Sequence, residues 1–90
     1  MSTDLYIGPL IERSGSFGYD TFSRVDGLRG SFRYRRVEEA RHDRRAMIAE
    51  SRRALHIRVH VCETLAEFER SSTAQRSADG DAGGAQPRKS

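Results

Sequence analysis

The sequence holds one cysteine, Cys62, so no disulfide can brace the chain. A lone thiol without a framework fits a reducing compartment, and the cytoplasm is the expected location. No apolar run approaches the roughly 18 residues that a membrane-spanning helix needs. The opening, MSTDLYIGPLIERSG, has no basic start, apolar stretch or cleavage-like site, so no signal peptide is expected. Lysine is almost missing: Lys89 stands alone against fifteen arginines, a bias that GC-rich codons also produce. The last nineteen residues, Ser72 to Ser90, contain no aromatic and no large aliphatic side chain. Such a segment buries too little apolar surface to offset its ordering entropy, and a disordered tail over 72–90 is expected, its first residues extending a helix at most.

What is present amounts to one small domain, expected over residues 1–71. Of the 90 residues, 36% are hydrophobic and 32% charged, which makes for a thin core. The net charge of +3 conceals a concentration of base: residues 24–58 carry eleven arginines and a net of +6, while the segments on either side are acidic. An anionic partner would be drawn to that middle third.

The clearest local signal is Tyr19 to Arg35, YDTFSRVDGLRGSFRYR. Asp26-Gly27 reads as a two-residue type I′ turn, which would set Val25 against Leu28, Thr21 against Phe32 and Tyr19 against Tyr34 on one apolar face. Asp20, Phe22, Arg24, Arg29, Ser31, Arg33 and Arg35 would then face outward. Upstream, LYIGPLIE is strand-like, but Pro9 cannot donate to a ladder, which places it at a sheet edge or bends it at Gly8-Pro9. Downstream, Arg36 to Arg53 reads as a helix with Val37, Ala40, Met47 and Ile48 on one stripe, which Arg44 interrupts, and no good N-cap precedes it. Acid at its start and base at its end suit the macrodipole.

In Ala54 to Cys62, ALHIRVHVC, the residues Leu55, Ile57, Val59 and Val61 alternate with His56, Arg58, His60 and Cys62. That is strand period, with the first set inward. A competing seven-residue recurrence (Met47/Ile48, Ala54/Leu55, Val61/Cys62, Phe68) would suit one long helix, but it strands Ile57 and Val59 and puts Arg44, Ser51 and Arg58 in the seam. Thr64 and Glu67 then form a capping box that opens a last helix, with Leu65 and Phe68 inward. The expected fold is α+β: a small mixed sheet in the order β-β-β-α-β-α, both helices on one face, the strands flanking the first helix parallel.

No complete catalytic or metal constellation is visible, so no enzyme activity, cofactor or metal is expected. His56 and His60 lie about 13 Å apart along a strand, too far for one zinc ion. Cys62 sits between strand and helix, yet the loop after it has Glu63 and no glycine where an anion-binding nucleophile loop needs one, so a buried structural thiol is expected. The glycine-rich SGSFGYDTFSRV lacks the first glycine of a kinase phosphate loop, with Arg13 in its place. RGSFRY has the aromatics of an RNA-binding strand, but Phe32 and Tyr34 are expected to face the core. The function expected is a non-enzymatic interaction module of basic surface, binding a protein partner through Arg24, Arg29, Arg33, Arg35, His56, Arg58 and His60. The alternative is weak nucleic-acid binding by the same Arg-rich outer sheet face. A monomer is expected in dilute solution, since the hairpin's arginines would repel an identical edge.

Overall fold

The computed structural model describes the backbone of residues 2–83 and the side chains of residues 2–75. The elements are β1 (Thr3–Ile7), β2 (Ile11–Arg13), β3 (Ser16–Ser23), β4 (Gly27–Tyr34), α1 (Val37–Arg53), β5 (Ile57–Val61) and α2 (Leu65–Gly83). The class is the expected one, α+β with a mixed sheet of five strands. β1 and β2 are two pieces of one bent strand, both antiparallel to β3 along the same side. The break between them is Gly8-Pro9-Leu10, where Pro9 escapes the ladder. β1 is nonetheless interior, because β5 pairs with its other side in parallel, from Thr3↔Ile57 to Ile7↔Val61. β4 pairs with the far side of β3. β4 and β5 therefore run in the same direction, as a helical crossover between them implies, but β3 and β1 lie between them.

The hairpin differs from its expected register. Its loop has three residues, Arg24 to Asp26, closed by the Asp26 N–H donating to Ser23 Oγ at 3.1 Å, with Gly27 at φ +76°. Ser23 pairs with Gly27 and Thr21 with Arg29, a slip of three residues from the expected pairing. An odd slip turns every β4 side chain to the other face. Val25 and Leu28, expected inside, are 76% and 57% exposed. The type I′ pair lies instead at Ser14-Gly15, whose φ angles of 54° and 85° join β2 to β3. Between Phe17 and Gly18 the ladder shifts by one residue, so Arg33 is the extra residue of a bulge and Tyr34 returns to the side of Tyr19.

The two helices cover opposite faces of the sheet, not one face as expected. Successive β3 residues decide this, since they point to opposite sides. The Tyr19 hydroxyl donates to Asp43 Oδ2 of α1 at 2.7 Å, while Phe22 packs with Cys62 and with Phe68 of α2. β3 is thus buried on both sides: Tyr19, Thr21, Phe22 and Ser23 are all buried. The strand alternates apolar and polar residues on each face, which is why a one-sided reading failed.

α1 begins without a side-chain cap, as its sequence implies. Its small Ala40, fully buried, lets the helix approach the sheet. Arg44, the break in its apolar stripe, turns inward. Its Nε donates to Gly8 O at 2.8 Å and a terminal nitrogen to Cys62 O at 3.3 Å. Those carbonyls end the two parallel strands β1 and β5. α2 opens on the expected capping box: the Glu67 N–H donates to Thr64 Oγ1 and the Glu63 N–H to Glu67 Oε1, both at 3.1 Å. The helix runs to Gly83, through twelve residues of the expected tail and further than the few expected, with Ser72 buried. The rest of that expectation, on residues 84–90, lies outside the described residues.

Ala54 to Cys62 contains a strand, though a shorter one. Ile57, Val59 and Val61 are half-buried on the α1 side, and Leu55, expected inward, precedes the strand and is 98% exposed. The turn that closes after α1, Ile57 N–H to Ala54 O at 3.2 Å, leaves Leu55 no sheet to face.

Replacing Arg44 by Met strands the Gly8 and Cys62 carbonyls, each in a partly buried place. Chemical denaturation is expected to show a loss of about 2 kcal/mol, with Arg44→Lys recovering only part because an ammonium lacks the fork.

Candidate interaction surface

The slip in the hairpin divides the seven residues expected to form one basic face. Arg29 and Arg33 lie on the α1 side, in the space between that helix and the sheet. This space opens as two joined clefts of about 560 and 470 Å³ that share Thr21, Arg29, Met47 and Ser51. His56 lines the second cleft with Arg29, so the structure does bring these two together. Arg33 lines the first, near Asp43 and Glu50, whose carboxylates offset its charge. Arg58 and His60 lie on the opposite face, beside the side chains of β1. Arg24 is in the hairpin loop and Arg35 in the bend before α1, both exposed.

On the α1 side the chemistry is already satisfied. Burial first, and the hydrogen bond to Asp43 second, hold the Tyr19 phenol far above its ordinary pKa, so it stays a neutral donor. Tyr34 is raised too, first by its own hydrogen bond to Asp43. The Tyr19–Asp43 bond ties β3 to α1, and the Tyr34 phenol stands beside the same carboxylate.

On the other face Asp4 is the centre. Its Oδ1 lies 2.9 Å from His60 Nε2 and 3.0 Å from Arg58 Nε, and the His60 ring stacks on Tyr6 with centroids 4.6 Å apart. The register Asp4↔Arg58 and Tyr6↔His60 produces this grouping. The His60 hydrogen bond, then the Arg58 guanidinium, hold the Asp4 carboxyl below its usual range against the opposing effect of burial. An imidazole held by a carboxylate is half of a nucleophile-activating pair, but the thiol on the same strand face is not placed to use it. Cys62 is 2% exposed in the cluster with Phe22 and Phe68, and burial pushes its pKa up. Among the described residues no three His, Cys, Asp or Glu groups are arranged to hold a metal ion.

Further cations stand where the expected set did not reach. Arg41, Arg45 and Arg52 of α1 are exposed and recur at i, i+4 and i+11, which places them on one side of the helix. Among the described residues none of the three enters an ion pair, in contrast to Arg13 with Asp20 and to Arg58 and His60 with Asp4. Their helical spacing was available once the helix was assigned, whereas the Asp4 grouping needed the β1–β5 pairing.

Comparison with protein-family models, curated proteins and solved structures finds no match for this chain. Among the described residues no helix is long and apolar enough to cross a membrane.

The depressed Asp4 carboxyl stabilises the fold above the carboxyl's unfolded pKa. That contribution disappears as pH falls through the lower folded value. Asp4→Asn is therefore expected to cost about 1 kcal/mol at neutral pH, an ordinary figure for partners this exposed, and nothing in strong acid. Thermal melts of both proteins across an acid-to-neutral series check it.

Proposed function

We propose that this chain is a non-enzymatic, cytoplasmic protein-binding module that acts as a monomer and engages an acidic partner protein through a basic surface on α1. The observation that carries the reading is the division of charge around that helix. Successive helical residues turn by about 100°, so Arg41, Arg45 and Arg52 fall within about 40° of one another. Glu39, Asp43 and Glu50 fall within about 40° on roughly the opposite side. The acidic flank overlies β4, where Asp43 meets the tyrosines and Arg29 and Arg33 stand nearby. Acid and base offset each other there. The basic flank lies on the side away from β4, towards β5, where Glu38, three residues before Arg41, is the one acidic residue of α1 beside it.

Arginine suits a protein contact, because its planar fork bonds carboxylates in pairs and its stem covers apolar surface. Of the residues singled out from the sequence, Arg58 and His60 lie at the β5 side of the sheet, on its other face. Arg24, Arg29, Arg33, Arg35 and His56 belong to the cleft and loops, outside this surface.

Titration with polyglutamate, polylysine and a DNA duplex, followed by amide NMR, tests the reading. Polyglutamate is expected to shift the amides of 41–52, more weakly as salt rises. Reversing the three charges (Arg41→Glu, Arg45→Glu, Arg52→Glu) is expected to lower that affinity by about tenfold or more. Silence towards polyglutamate, or sequence-selective DNA binding that survives high salt, overturns the proposal.

A further inference from the structure

β5 is an edge strand: β1 takes one side, and among the described residues no strand takes the other. Two hydrogen bonds fix which backbone groups are open. Thr3 N–H donates to His56 O at 2.7 Å and Cys62 N–H donates to Ile7 O at 2.8 Å. In a parallel ladder alternate residues bond to the same neighbour, so 56, 58, 60 and 62 point their backbone groups at β1. Ile57, Val59 and Val61 point theirs outward. The Ile57 N–H is already taken by Ala54 O. That leaves the N–H groups of Val59 and Val61, and the carbonyls of Ile57, Val59 and Val61, facing away from the sheet.

The usual protections of such an edge are weak here. The strand has no proline, no lysine and no bulge, and its three α1-side residues are apolar and only half-buried. Arg58 and His60, on the opposite face, have their tips drawn back to Asp4. On the α1 side, the helical spacing of Arg41, Arg45 and Arg52 turns them away from β4 and towards this edge, with Glu38 beside them at the start of the helix. A strand added here would lie under three arginine side chains.

We infer that an extended acidic segment of a partner protein adds to the outer edge of β5 as a further strand. Its backbone bonds to Val59 and Val61, and its side chains on the α1 face meet Arg41, Arg45 and Arg52. The inference rests on the protein-binding reading and specifies its site and mode. Charge selects the occupant. A second copy of β5 would bring the same cations alongside, and a basic segment would be repelled. The β4 edge fits less well, since Gly27 and Gly30 offer little to pack and its flank mixes acid with arginine.

A synthetic peptide alternating glutamate and threonine, and its lysine counterpart, test this on the full chain. The glutamate peptide is expected to bind and slow hydrogen exchange at the Val59 and Val61 amides, and the lysine peptide to do neither. Val59→Pro removes one outward donor at an edge position where a sheet tolerates proline, and is expected to cost about tenfold or more in affinity with the melt preserved. Should that variant fail to fold, a glutamate peptide N-methylated on the residues facing β5 removes the same bonds from the other side and is expected to lose binding to the unaltered protein. If both changes leave affinity intact while the triple charge reversal abolishes it, strand addition is wrong and the protein-binding reading stands. If the glutamate peptide perturbs neither β5 nor α1, both fail. A dimer at low salt that Val59→Pro dissolves overturns the inference by assigning the edge to a second copy.

Discussion

The parallel seam between β1 and β5 is the junction on which the rest of this small fold depends. Every other strand pairing is antiparallel and local, made by the turns that join neighbours in sequence. The seam alone joins the first strand to the last, and α1 has to cross the sheet to form it. Parallel strands end with their carbonyls side by side, and here Gly8 and Cys62 present theirs beneath the helix. Arg44 answers both with one guanidinium. The same residue thus fixes where α1 sits, how β5 meets β1, and where the chain turns towards α2.

A thin core explains why polar side chains carry so much of the architecture. Among the described residues six apolar side chains are buried, and they are divided between two faces. Tyr19 and Asp43 do on one face part of what packing does in a larger protein, and the Asp4 group does so on the other. Each of these bonds couples an inner strand to an element far away in sequence. In these groups Asp4 and Asp43 hold partners, the His60 imidazole is stacked on Tyr6, and the Cys62 thiol is covered.

The sequence made the elements legible and left their arrangement obscure. The capping box at Thr64 and Glu67, the alternation of Ile57, Val59 and Val61, and the bend at Gly8-Pro9 all follow from local rules and all appear. The errors of register come from one turn. Asp26-Gly27 has the composition of a two-residue turn, but Ser23 Oγ captures the Asp26 N–H and makes the loop three residues long. That single bond turned β4 over, scattered the arginines expected on one face, and exposed Val25 and Leu28. The choice between one covered face and two was likewise hidden, because β3 is buried on both sides and so carries no clean alternation. The cations that the proposed surface uses lie on a helix that was correctly placed, at spacings the sequence displays; only the position of the helix over the sheet was missing.

The burial of Cys62 turns the chain's only thiol into a gauge of how firmly α2 is seated. The thiol is closed off by Phe68, and the Phe68 ring lies close against Gly8, where a Cβ would stand 3.2 Å from its Cγ. An alkylating reagent can reach the sulfur only when that ring lifts away, and lifting it leaves the seam and α1 undisturbed. The rate of labelling therefore reads the opening of the last helix separately from the unfolding of the sheet.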